Sequence, residues 1–271
     1  MKGNASMKST SLKKKNGDPS SSKSAKKKYG RKMPRTPLYI LLTFIVIQLA
    51  PALVVVPTYN YFIGQGLDPD TAEATTSGWL IVSSMAIGFI VMMILVLRDK
   101  NFFNIWNGKK AGIWASIGWG FLGFFLVYFG QIIASLIEMK VLGIEPGSEN
   151  TMSLVNVAEV VPLTVLAIVF FGPVMEELVF RRVVFGSLNQ TTNFFIATAI
   201  SALMFALVHL EFSHLLVYFS TGLVLAFVYQ KTKRIITPII SHILLNAFVM
   251  IIQLNMDKIE AFTKYLEGLQ P

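Results

Sequence analysis

The chain has 271 residues, of which 54% are hydrophobic and only 14% charged, with a mean hydropathy of +0.59, whereas a soluble domain carries roughly 25% charged residues. The composition therefore predicts a membrane protein. With no cysteine and three histidines, His209, His214 and His242, it excludes disulfides, thiolate metal sites and cysteine nucleophiles.

The net charge of +9 is concentrated at the start: residues 1–36 hold twelve Lys or Arg and one acid, Asp18. This Lys-, Ser- and Gly-rich stretch buries too little apolar surface to offset chain entropy, so it is expected to be a disordered basic tail. Its charged region is too long for a cleaved signal peptide, and no small-residue cleavage site follows. Because it directly precedes an apolar run, it reads as a cytoplasmic orientation signal drawn to anionic lipid rather than as a nucleic-acid binder.

Seven apolar segments follow, at about 37–57, 77–97, 111–138, 157–180, 193–210, 214–230 and 236–255. Most reach the roughly 17–25 residues that a membrane-spanning helix needs. The fifth and sixth are short and close together, which predicts a tight helical hairpin, and Pro51 and Pro173 are expected to kink their helices. Loop charges alternate. Asp68, Asp70 and Glu73 are followed by Arg98, Lys100, Lys109 and Lys110, then by Glu145, Glu149 and Glu159 with Lys140. Arg181 and Arg182 come next, then Glu211, then Lys231, Lys233 and Arg234. That alternation predicts an all-α polytopic bundle of about seven transmembrane helices with a cytoplasmic N-terminus. The expected division is a tail at 1–36, a transmembrane domain at 37–256 and a short C-terminal tail at 257–271.

Ionisable groups inside such a bundle default to a functional hypothesis. In PVMEELVFRRVVFG, residues 173–186, Glu177 and Arg181 are spaced for an i,i+4 ion pair with the acid first. Glu176 points about 100° away and is free to act as a base; the same stretch also fits a helix end with interfacial charges. In MFALVHLEF, residues 204–212, Phe205 and His209 share a face. In PIISHILLNAF, residues 238–248, so do His242 and Asn246. Either histidine alone also fits simple helix–helix hydrogen bonding. Together Glu176, His209, His242 and Asn246 supply a carboxylate and histidines for general-base activation of water, and donors for an oxyanion.

EExxxR at 176–181, FxxxH at 205–209 and HxxxN at 242–246 resemble the motifs of the CPBP family, the CAAX prenyl endopeptidases and bacteriocin-processing (Abi) proteins, over about residues 157–250. The resemblance implies an intramembrane endopeptidase in which Glu176 with His209 polarises water and His242 with Asn246 forms the oxyanion hole. Glu177, Arg181 and Phe205 support them. The family has been regarded both as zinc-dependent and as metal-free. This sequence lacks HExxH and favours no metal or other cofactor; a zinc would have to take Glu176, His209 and His242. The resemblance also implies a multi-pass protein of a bacterial plasma membrane acting on a membrane-associated peptide or protein, cut near the cytoplasmic side, in bacteriocin maturation, immunity or signalling. A non-catalytic scaffold that binds a partner such as a sensor kinase is the alternative, and a transporter a further one. Simple depth counting places His209 toward the outer end of its span, on the order of 10 Å from Glu176, so the site assembles only if helices extend or tilt. His214 falls in the turn after His209 with no role assigned.

Overall fold

The computed structural model describes residues 35–145 and 147–268; the predicted basic tail, Arg35 and Thr36 apart, lies outside them. The described residues are all-helical, with no strand. Three long helices come first: α1 (Thr36–Gly64), α2 (Pro69–Arg98) and α3 (Ile113–Val141). A short helix α4 (Glu149–Val160) leads through a break at residues 161–163 into α5, an unbroken helical run over residues 164–191. The short helix α6 (Phe194–Leu207), a 3₁₀ turn (Phe212–His214), α7 (Leu215–Thr232) and α8 (Ile236–Gln253) complete the bundle. Five stretches are each long and apolar enough to cross a membrane: α1, α2, α3, α7 with its leading turn, and α8. With α5 and α6 the count reaches the seven expected. α1 continues through Pro51 and Pro57 without interruption.

Lipid cannot drive apolar helices together, so close approach and interhelical hydrogen bonds must do so. Gly222 of α7 lies so near α6 that a Cβ there would meet Ala202 Cα at 2.6 Å. On the α3–α8 seam Ser241 Oγ donates to the Gly120 carbonyl at 2.8 Å and Thr237 Oγ1 to that of Ser116 at 3.2 Å. Gln131 Nε2 of α3 donates to Thr221 Oγ1 of α7 at 3.0 Å. The largest buried apolar cluster joins α1, through Ile40, Phe44 and Ile47, to Met175, Leu178 and Phe180 of α5 and Phe205 of α6.

The loops separate into two polar layers, as the charge alternation requires. At one end Lys233 Nζ donates to Asn107 O at 2.8 Å, Ala111 N–H to Thr232 O at 3.0 Å, and Arg182 Nε to the Phe102 carbonyl. At the other, Ser148 Oγ and Tyr218 Oη both donate to Glu211 Oε2 at 2.8 Å. The segment read as a C-terminal tail forms a further helix, α9 (Met256–Glu267), up to the last described residues. Met256, Ile259, Phe262 and Leu266 recur along one side of it, between Asp257, Lys258, Glu260 and Lys264. That spacing is the sequence signal for an amphipathic helix.

Candidate active site

The site grows from two irregularities in α5. Residues Ala167–Phe171 and Glu177–Phe185 are π-helical, with α-helical Gly172–Glu176 between them. π-turns recur at functional sites because they rotate side chains and release carbonyls. Pro173 explains one release. In the first π stretch the Gly172 N–H bonds back to the Ala167 carbonyl. The same five-residue step from the Ile168 carbonyl lands on Pro173, which has no N–H. Asn246 of α8 supplies the missing donor: its Nδ2 reaches Ile168 O at 3.1 Å. The expected consequence of Pro173, a lost backbone bond, is thus met from another helix, and the bond fixes Asn246. A second amide hydrogen of Asn246 is left over, since a carboxamide carries two.

Glu177 and Arg181 are fully buried and paired, Arg181 Nε lying 3.2 Å from Glu177 Oε2. The other carboxylate oxygen of Glu177 accepts from His242 Nδ1 at 2.9 Å. Glu177 therefore holds His242 from behind and turns its Nε2 toward Glu176, whose Oε2 lies 3.8 Å away. Glu176, unlike its neighbour, keeps a partly exposed side chain facing a cavity. Adjacent residues on one helix thus do different things: one carboxylate is consumed in fixing a histidine and an arginine, the other is free.

Phe205 joins the helices. Its buried ring carries the Arg181 guanidinium at 4.4 Å and meets the rings of Phe180, His209 and His242 at 5.4, 4.8 and 5.6 Å. The His209 ring is also stacked on Tyr218, with centroids 4.0 Å apart. Its Nδ1 lies 2.8 Å from the Phe205 carbonyl, one of the acceptors that a helix end leaves over. A carbonyl only accepts, so Nδ1 carries the hydrogen and neutral His209 presents Nε2 as a lone pair.

The expected offset of His209 from Glu176 is removed by the length of α6. Its 14 residues rise about 21 Å, short of a hydrocarbon core of about 30 Å. The chain turns back at Leu210, which has φ 56°, so His209 stays within the bundle at the depth of the cavity. α5 for its part continues past Arg182 to Thr191. Glu176, His209, His242 and Asn246 all line one cavity of about 1000 Å³. Among the described residues no three His, Asp or Glu side chains are arranged to hold a metal ion.

Two features were missed in the sequence. Glu138, buried in α3, accepts from the N–H groups of Leu216 and Val217 at 2.9 and 3.3 Å, capping α7 from a different helix. It also takes His214 Nδ1 at 2.9 Å, which gives His214 a structural partner. A lone acid in an apolar segment was the only available signal. Tyr218, the second feature, gave none: it looks like any interfacial aromatic until its ring is seen against His209.

Comparison with known proteins bears on the family of the chain. The family model of the type II CAAX prenyl endopeptidase Rce1-like proteins matches residues 158–248, the stretch from the end of α4 through α8 that holds every site residue. The "Putative membrane peptidase YdiL" of Bacillus subtilis is 39% identical over 84% of this chain and 91% of its own length. The "Membrane-embedded CAAX protease MroQ" of Staphylococcus aureus is 33% identical over 80% of this chain and 88% of its own. The "UPF0177 protein YxdF" of Lactococcus lactis is 42% identical over 28% of this chain and 42% of its own. No solved structure matches. A multi-pass membrane protein, this chain belongs to the CAAX-protease-like family of membrane peptidases.

Proposed function

We propose that the protein is an intramembrane endopeptidase that cleaves a membrane-associated peptide or protein with water activated by a glutamate, without a metal. The observation that carries this reading is the unequal use of the two adjacent glutamates. Glu177 is locked to His242 and Arg181, while Glu176 faces the cavity together with His209, His242 and Asn246. Water held between Glu176 and His209 attacks the scissile carbonyl carbon and gives its proton to Glu176. The carbonyl oxygen becomes an oxyanion, held in a hole formed by the spare Asn246 amide hydrogen and Nε2 of His242. Collapse breaks the C–N bond as Glu176 returns the proton to the leaving nitrogen, giving a carboxyl and an amino terminus. A buried site strengthens each of these interactions over their value in water. Glu177, Arg181 and Phe205 are positioning residues, acting through His242 and His209.

The bacterial origin of the named relatives and the chain's loop charges support a bacterial plasma membrane, with the basic segment before α1 drawn to anionic lipid and no nucleic-acid partner. The substrate is a peptide tied to that membrane, as in bacteriocin maturation, immunity or signalling. The test compares the N- and C-termini of the membrane proteome in cells carrying the wild type or Glu176→Gln at matched protein levels. Termini present with the wild type and lost with the near-isosteric variant are expected. Identical termini with the cellular phenotype retained would leave a scaffold that binds a partner.

A further inference from the structure

The cavity is one-sided. Its deep wall holds Glu176, His242 and Asn246. From there it runs past Gln131 and Ser135 of α3 and Tyr218 of α7 to Ser148, His214, Gln253 and Met256, where the loops after α3, α6 and α8 lie. No residue of the opposite end lines it. That end is closed. Phe102, Phe180 and Phe185 are buried there, and the Arg182 guanidinium lies 4.3 Å over the Phe102 ring. The loop between α2 and α3 is fastened across it by the bonds from Lys233, Arg234 and Arg182 to carbonyls of that loop. Trp106 from the same loop packs on Tyr229 at 5.0 Å.

The two ends also differ in charge. The closed end carries Arg98, Lys100, Lys109, Lys110, Lys231, Lys233 and Arg234 against Asp99; the open end carries Asp68, Asp70, Glu73, Glu145, Glu149 and Glu211 against Lys140, with α9 adding Asp257, Glu260 and Glu267 against Lys258 and Lys264. Basic loops stay in the cytoplasm. We infer that the site is loaded from the non-cytoplasmic face, so the substrate is a peptide presented at the outer leaflet, cut on that side of the membrane rather than near the cytoplasm. The inference rests on the proposed peptidase activity only in calling the occupant a substrate. Asn246 lies about 10 Å along α8 from Gln253 at the mouth, a span that about three extended residues cover. The substrate therefore needs a short extended stretch between the membrane surface and the scissile bond. The polar strip of Gln131, Ser135 and Asn150 along the cavity gives its backbone hydrogen-bond partners on the way in.

The absence of cysteine makes a direct test clean. Single variants Ser135→Cys inside the cavity, Met256→Cys at its mouth and Asn107→Cys at the closed end are expressed in the full chain. Each is treated with a membrane-impermeant maleimide in right-side-out and inside-out vesicles, with labelling after detergent to confirm the protein. Ser135→Cys and Met256→Cys are expected to react at least tenfold faster right-side-out, and Asn107→Cys at least tenfold faster inside-out. Ser135→Cys reacting from the inner side, or from neither side while Met256→Cys reacts, would overturn the inference. Labelling needs no turnover, so a failure of the peptidase reading with Glu176→Gln leaves this result standing on its own.

Discussion

α1 and α5 both cross the bundle, and they do so by opposite means. α1 is an uninterrupted α-helix whose buried residues are Ile40, Phe44 and Ile47; most of its other apolar side chains are exposed, Leu53 at 82%. α5 alternates between α and π geometry and buries every residue from Leu178 to Val183, two arginines among them. The difference teaches that the lipid-facing majority of α1 is specified by composition, since any apolar side chain satisfies lipid, whereas α5 is specified by partners. Glu177 meets His242 of α8 and Arg181 one turn on, Arg181 lies against the Phe205 ring of α6, and Arg182 reaches the Phe102 carbonyl. Tolerance of substitution should differ accordingly.

The largest effect is expected where α5 holds its charges. Glu177→Ala strands Arg181 in a dry interior and removes the acceptor of His242 Nδ1. Breaking a buried pair from one side costs about 3–5 kcal/mol, read as a fall in thermal stability in detergent and a loss of protein in the membrane. The double variant Glu177→Met with Arg181→Met removes both charges and should regain most of that stability. It should stay inactive, because His242 is still unheld. A double variant that regains activity would show that Glu177 does not position the histidine.

This contrast also marks what the sequence made legible. Spans such as α1 could be read because lipid imposes a single requirement, a long apolar run. The site residues could be read because Glu176, Glu177, Arg181, His209, His242 and Asn246 are polar in apolar surroundings, at helical spacings that match a family pattern. What could not be read depends on contacts between distant segments. Neither π stretch has a signature in the local sequence, and the carbonyl that Asn246 satisfies is defined only once α8 lies against Pro173. Glu138 is only a lone acid in an apolar segment until α7 places its N-terminus on it. The reach of the cavity was hidden for the same reason. Charges told which end is cytoplasmic, but which end is sealed depends on Phe102 and Arg182 meeting across 80 residues of sequence.

A smaller and more particular effect tests the origin of the first π stretch. Pro173→Ala returns an N–H that the Ile168 carbonyl can accept, in competition with Asn246. Removing proline from a helix interior favours folding, so the variant should be at least as thermally stable as the wild type. Asn246, no longer fixed, should lose its alignment toward an oxyanion. A hydrogen bond of this kind is worth about 1 kcal/mol, so kcat should fall by about fivefold with little change in KM. An unchanged kcat would mean that Asn246 is oriented by something other than the carbonyl that Pro173 releases.

The smallest effect belongs to α1, and it sharpens the comparison by its size. Leu53 faces outward, so Leu53→Ala trades one lipid-facing apolar side chain for a smaller one and opens no internal cavity. The change in stability should stay within about 0.5 kcal/mol, measured as thermal unfolding in detergent, with activity unaltered. The same truncation at Leu178, buried at 3% exposure, should cost about 2–5 kcal/mol. If Leu53→Ala instead costs as much as Leu178→Ala, α1 packs against a further surface in the membrane, a second copy or another protein, and its exposed face is an interface rather than a boundary with lipid.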